Sequence, residues 1–428
     1  MTVNSMTRHD EDYRKYIQVL KEELIPAMGC TEPIAIAYAA SRCRDILGKV
    51  PDEAEVLVSG SILKNVKSVI VPNTEGLKGI KAAVITGIAA GVAEKKLEVI
   101  SSVTGEQKKS IRDFLNTIPV TVGLSRSELE FDILIRETSG TESASVRIAD
   151  FHTNIVHEEK NGKVLLDLPV KGKGGLTDRS FLSMQGIWEF ANTCGIEDIK
   201  DILEPQITYN MAIARKGIES PYGAEIGKVI LDSYGDAILS RAVAMAAAAS
   251  DARMGGCEMP VIINSGSGNQ GIACSVPVIT YGREAEVGGE RLLRALVLSN
   301  LITIYEKTGI GRLSAFCGAV CAGVAAGAGI AYLKNGDYNV IIHTVVNGLA
   351  IVSGMVCDGA KPSCAAKIAF SVNAGLFGYD MYMHGQQFLS GDGIVTKGSD
   401  NTIRNIGRLG RDGMRETNEE IIKIMIGE

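Results

Sequence analysis

Apolar residues recur at helical spacing over residues 11–25, Pro26 and Gly29 interrupt the pattern, and a second helical run covers 34–47. The segment between them, Met28-Gly29-Cys30-Thr31-Glu32-Pro33, puts Cys30 at a helix start. Thr31 reads as the N-cap with Pro33 just inside. That places the Cys30 thiol near free backbone N–H groups, which favour its anion. Between about 52 and 169 the period shortens. Runs rich in β-formers at 55–58, 68–71, 120–122, 131–135, 145–148 and 164–168 surround a helical stretch at 79–93, which reads as an α+β domain. The Gly- and Lys-rich piece 171–175 reads as a linker. After it the periodicity is helical: 178–191, 218–250, 288–306, 314–333, 340–355, 364–377 and 402–426. The expectation is an α+β fold in three parts. Residues 1–50 form N-terminal helices that carry Cys30 and pack on the catalytic domain, 51–175 form the α+β domain, and 176–428 form an all-helical catalytic domain.

Residues 316–333 carry no charge and are long enough to be tested as a membrane span. Their Gly and Ala content and two cysteines fit a buried bundle helix instead. Composition narrows the function classes. With 44 basic against 50 acidic side chains and a net charge of −6, there is no basic excess to neutralise phosphates, so nucleic acid is not expected as a partner. Aromatic residues make up only 5% and glycines number 48, so the core must be aliphatic with closely packed backbones. Nine cysteines in 428 residues are too sparse for a disulfide scaffold. Residues 1–15 are polar and charged, without the apolar stretch of a secretion signal. A cytoplasmic protein with reduced thiols follows as the expectation, and clustered cysteines there read first as metal-binding or catalytic.

The cysteines of the helical half are Cys317, Cys321, Cys357 and Cys364, the last two within Cys357-Asp358-Gly359-Ala360-Lys361-Pro362-Ser363-Cys364. Three or four thiolates from separate helix ends can hold an iron–sulfur cluster. Zinc suits the spacing less, because structural zinc sites use short C-x₂-C pairs. Cysteines in Ala/Gly helices can equally be small buried apolar residues. A second motif, Asn264-Ser265-Gly266-Ser267-Gly268-Asn269-Gln270-Gly271, contains G-x-G-x-x-G after an apolar run. Pro277 is expected to break the following helix after about one and a half turns, which argues against dinucleotide binding. A loop of bare N–H groups for a carboxylate or phosphate and a plain tight turn both remain open.

Ser61-Ile62-Leu63-Lys64, Lys307-Thr308-Gly309 and Ser399-Asp400-Asn401 spell the three signatures of penicillin-binding acyl-transfer enzymes in the wrong order. Lys307-Thr308-Gly309 reads instead as a helix stop, and Asp400 as the cap of the final helix. Lys64 and Asn65 follow a strand and read as a loop that touches substrate or simply meets solvent. The five histidines show no metal-ligand spacing, and His343, in an apolar helix, reads as a core residue.

Taken together, Met28 to Pro33, Lys64-Asn65, the Ser265 to Gly271 loop, Leu313-Ser314-Ala315-Phe316-Cys317-Gly318 and the Cys357 to Cys364 segment resemble the iron–sulfur L-cysteine desulfidase family. That family is itself similar to the α-subunit of bacterial iron–sulfur L-serine dehydratases. The resemblance runs over essentially the whole chain. It implies a [4Fe–4S] cluster on Cys317, Cys357 and Cys364, with Cys321 as the alternative first ligand. It also implies that Cys30 acts as thiolate base or fourth ligand. Substrate contacts are expected from Ser265, Gly266, Ser267, Gly268 and Asn269, and more weakly from Lys64 and Asn65. No cysteine follows Cys364, whereas serine dehydratases can end in a cysteine that caps the open iron. The implied activity is β-elimination of L-cysteine to pyruvate, ammonia and sulfide. L-serine dehydration is the alternative, and a non-catalytic cysteine-rich binding protein is a second. A small amino acid is the expected ligand, with no membrane partner and a homodimer as the assembly.

Overall fold

The computed structural model describes residues 6–127, 129–170 and 176–427; the expected linker at 171–175 lies outside them. The chain opens with α1 (Glu11–Glu23), β1 (Pro26–Met28) and α2 (Thr31–Leu47). A mixed segment follows: β2 (Glu53–Val58), α3 (Gly60–Val66), α4 (Gly79–Ala90), α5 (Gly105–Thr117), β3 (Val120–Leu124), β4 (Asp132–Ser139), β5 (Glu142–Ala149), β6 (Ile155–Lys160) and β7 (Lys163–Asp167). The remainder comprises α6 (Met184–Thr193), α7 (Ile196–Glu219), α8 (Ile226–Tyr234), α9 (Ile238–Met254), β8 (Pro260–Ile262), α10 (Gly268–Glu284), α11 (Gly289–Ile310), α12 (Gly318–Leu333), α13 (Tyr338–Val352), α14 (Cys364–Met383), α15 (Ser399–Arg408) and α16 (Arg415–Ile426). This is an α+β fold with a largely helical C-terminal region.

Six strands form one sheet in the order β3-β2-β4-β5-β6-β7. Only β2 and β3 run parallel; a parallel pair needs a long crossover, and α3, α4 and α5 supply it. The period of two in the strands places whole rows of side chains on one face. Val58, Ile133 and Ile148 form one row, and Val56, Ile135 and Val146 the next, all buried. Helix α2 covers this face, sandwiched between β4–β5 and α4. The two N-terminal helices therefore part company: α1 lies against α7 and α11, while α2 lies on the sheet.

In the helical region α12 is the central element, buried from Ala319 to Leu333 and surrounded by α10, α11, α13 and α14. Its glycines explain the composition. A Cβ at Gly327 would lie 2.4 Å from the Gly375 carbonyl carbon on α14, and one at Gly323 would lie 2.5 Å from that of Ser371. The backbones touch, so only glycine fits. Among the described residues no helix is long and apolar enough to cross a membrane.

Two small features tie the halves together. Strands β1 and β8 pair antiparallel, Pro26 opposite Ile262 and Met28 opposite Pro260, which carries Cys30 beside the loop that follows β8. Helix α16 lies along α3.

Several expectations need correction. Pro277 does not end its helix: α10 runs on to Glu284. The residues around it on α10, from Gly271 to Thr280, are all buried, and packing holds the helix together across the proline. The stretch 68–71 contributes only an isolated bridge, Ile70 to Lys78, whereas β6 and the 24-residue α7 were not anticipated. The run 402–426 breaks at a π turn, Leu409–Gly413, where Gly410 packs on Ile310 and Phe316. Asp400 caps no final helix; its Oδ1 accepts from Met184 N and the Tyr305 hydroxyl. Lys307 is no helix stop, because α11 continues to Ile310. Lys64 and Asn65 sit on α3, not in a loop.

Candidate active site

Two main-chain hydrogen bonds set the first pair of thiols side by side. Cys317 N donates to Met355 O at 3.1 Å and Cys357 N to Ala315 O at 2.6 Å, zipping 315–317 against 355–357. Cys317 is the N-cap of α12 and Cys364 is the first residue of α14. Lys367, one turn into α14, donates to Val356 O at 2.7 Å and to Asp358 at 2.5 Å, which holds the Cys357 loop to the helix that bears Cys364. In this loop Gly359, at φ +93°, lies so close to α3 that a Cβ would stand 2.3 Å from the Lys64 carbonyl oxygen.

Cys317, Cys357 and Cys364 line one cavity of about 100 Å³, and Cys30 lines it too. Cys30 is the N-cap of α2, 1% exposed, with Sγ 4.0 Å from Met254 Sδ. The Asn264 to Gln270 segment supplies another wall. It is a tight turn closed by reciprocal Asn264–Ser267 main-chain bonds, after which Ser267 caps α10. Thr31 Oγ1 donates to Gly266 O at 3.0 Å, so this hydroxyl fixes the loop and does not cap α2 as expected. Helices α2, α10, α12 and α14 thus all begin at the cavity, and their free N–H groups give it a positive field. Side chains reinforce it: Arg253, Lys307, Arg312 and Lys367 line the same space, with Glu32 as the carboxylate. A larger cavity of about 760 Å³ adjoins it and shares Phe131, Ser265, Lys307, Arg312 and Leu313.

Electrostatics separate the thiols. Cys317 and Cys357 hydrogen-bond to each other; this bond with Lys64 and Lys307 nearby holds Cys357 far below the usual thiol range, while Cys317 is pushed far up. Burial pushes Cys364 up as well. At Cys30 burial outweighs the helix start and the attraction of Arg253, lifting the thiol to about 12. The expected resting thiolate is thus not found at Cys30. Burial, opposed by Glu32, also pulls His152 down to about 4.

Among the described residues no three His, Cys, Asp or Glu side chains close on one point tightly enough for a single metal ion. The donor set at the cavity is instead three thiols with cationic neighbours, chemistry that fits a group bound by several thiolates through separate atoms. Cys321 is not part of it. Its thiol is buried one turn further along α12, outside the cavity wall, where burial and the neighbouring Glu306 push it far up.

Residues 94–423 match the family described as the serine dehydratase alpha chain. The chain belongs to that family. Among its full-length relatives, a UPF0597 protein of Desulfitobacterium hafniense is 57% identical over 426 residues, covering 99% of each chain. One from Lachnoclostridium phytofermentans is 49% identical, covering 97% of this chain and 100% of the relative. A third, from Treponema denticola, is 44% identical over 98% and 100%. The serine dehydratase alpha chain match contains the Ser265 loop, Cys317, Cys357 and Cys364; Cys30, Lys64 and Asn65 precede it.

Of the residues singled out in this serine dehydratase-like chain, the cavity gathers Cys30, Asn65, Ser265, Gly266, Ser267, Asn269, Cys317, Cys357 and Cys364. Lys64 and Gly268 are not on its wall. Lys64 is buried near Cys357, its Nζ donating to Asn418 Oδ1 at 2.6 Å, and Gly268 lies against Arg253. Glu32, His152, Arg253, Gln270, Lys307 and Arg312 were missed. For Arg253 the signal was available: a lone cation closing the Ala-rich run 242–252.

Proposed function

We propose that the chain is a β-eliminating amino-acid lyase that releases sulfide from L-cysteine, with a [4Fe–4S] cluster held by Cys317, Cys357 and Cys364. The observation that carries the reading is the meeting of these three thiols and Cys30 on one buried cavity at four helix starts. The net reaction breaks the Cα–H and Cβ–S bonds to give aminoacrylate and sulfide, and water then converts aminoacrylate to pyruvate and ammonia. Cys317, Cys357 and Cys364 would hold the cluster, which would supply Lewis-acid chemistry for the departing sulfur.

The chain's own residues do the rest. The helix starts and the ring of Arg253, Lys307 and Arg312 favour the substrate carboxylate and the thiolates. Cys30 Sγ faces the same cavity and, once ionised, would take the α-proton; Arg253 only partly offsets the burial that keeps this thiol neutral, so its own proton must leave before it can act as the base. Burial of Cys30 and the turn at 264–267 keeps bulk water from the reacting carbon. L-serine dehydration is the second reading, favoured by the serine dehydratase alpha chain match; it uses the same site with water as the leaving group.

Anaerobic purification with iron and acid-labile sulfide counts, then sulfide and pyruvate assays on L-cysteine beside L-serine, tests the proposal. About four irons per chain and sulfide with stoichiometric pyruvate are expected. A chain without iron, or one with a sharp aldimine-type absorbance, sinks it. Cys30→Ala is expected to abolish sulfide release while keeping its iron; loss of iron would make Cys30 a ligand instead.

A further inference from the structure

Nine buried side-chain atoms among the described residues find no hydrogen-bond partner, and four of them belong to residues lining the thiol cavity: Asn65 Oδ1, His152 Nε2, Arg253 Nε and Gln270 Oε1. An unpaired buried polar group is unfavourable and calls for a partner. Gathered at one cavity, these atoms describe the polarity of a missing ligand.

Arg253 is 4% exposed, and its Nε finds no hydrogen-bond partner among the described residues. Its Nη1 donates to Asn269 Oδ1 at 3.1 Å, which orients the guanidinium. The glycine at 268 makes room for it, because a Cβ there would lie 2.3 Å from Nε. A guanidinium only donates, and its fork suits a carboxylate. Nearby the polarity reverses. Asn65 Nδ2 is fixed on Glu32 Oε1 at 3.0 Å, which turns Oδ1 away as a free acceptor, and Gln270 Oε1 is a second. A cation with several N–H donors satisfies that set.

We propose that Arg253 binds the α-carboxylate and that Asn65 and Gln270, with Glu32, receive the α-ammonium, so that the site selects ligands carrying both groups; the naming of an α-amino acid rests on the lyase reading. L-Alanine is the probe, since it has both groups and no β leaving group. Calorimetry on the anaerobically purified protein is expected to show binding of L-alanine at least tenfold tighter than ethylamine or propionate. Arg253→Gln should weaken L-alanine at least tenfold at unchanged melting temperature, and Gly268→Ala, which displaces the guanidinium, should weaken it in the same direction. Wild-type affinities for L-alanine and ethylamine within twofold of each other overturn the proposal, and so does an Arg253→Gln variant within twofold of wild type. If Arg253→Gln does not fold, the wild-type comparison decides alone. Sulfide release without preference for L-alanine overturns this subsite only, whereas L-alanine binding with neither sulfide from L-cysteine nor pyruvate from L-cysteine or L-serine supports the subsite and overturns the lyase reading.

Discussion

Gly327→Ala tests whether the helix contact that positions the thiols is as tight as the structure has it. The added Cβ would stand 2.4 Å from Gly375 C and 2.6 Å from Gly375 Cα, where ordinary contacts begin near 3.4 Å. Helices α12 and α14 must then move apart by about 1 Å. Alanine raises helix stability by about 0.8–1 kcal/mol over glycine, and overpacking of this kind costs about 1–3 kcal/mol, so the net change in stability is a loss of roughly 0–2 kcal/mol. The functional effect is larger than that figure suggests. Cys317 caps α12 and Cys364 opens α14, so a shift between these helices is a shift between two thiols. The expected result is a slightly lowered melting temperature and a clear fall in iron bound per chain. Gly289→Ala is the control: it opens α11, nothing stands within 4 Å of its Cβ position, and it should bind iron normally. Wild-type melting and iron content in Gly327→Ala would refute the backbone-contact argument.

Three further outcomes follow from the site. Cys317→Ala, Cys357→Ala and Cys364→Ala should each lower iron content, whereas Cys321→Ala should keep it, because that thiol is buried off the cavity wall; iron loss in Cys321→Ala alone would exchange the ligand assignment. His152 titrates near 6.5 when unfolded and about 4 when folded. The unfolded chain binds the extra proton between those values, so stability should fall as pH drops from 6.5 to 4, by about 3 kcal/mol at most, and level off below. Urea midpoints against pH should show this slope in the wild type and lose it in His152→Gln. Thr31→Val removes the buried bond to Gly266 O; a loss of about 1 kcal/mol in chemical denaturation and a raised KM are expected.

Periodicity carried most of the helices and β2 to β5, because a half-buried sheet and an amphipathic helix must alternate polar and apolar positions. It failed at two helices for different reasons. In α10 the fully buried surroundings override the proline at 277, and α7 conceals itself behind Pro205 and a run of charges. The site was legible wherever its chemistry lies in unusual residues: the cysteines and the glycine turn stand out in any reading. Arg253, Lys307 and Arg312 did not, since a basic side chain in a helix or loop is ordinarily solvated, and only the meeting of α9, α11 and the turn after α11 shows that these three line one cavity. Choosing Cys317 over Cys321 likewise needed the direction in which each thiol points along α12.

The short bridge between Phe316 and Val356 has a consequence for how the protein is assembled. Main-chain amide and carbonyl groups fix the spacing of Cys317 and Cys357. Under the proposed function, iron would be inserted late into a finished receptacle, unlike the small zinc modules that collapse only around their ion. A chain bleached by oxygen should keep its shape and be recharged in place with ferrous iron and sulfide, without passing through denaturation.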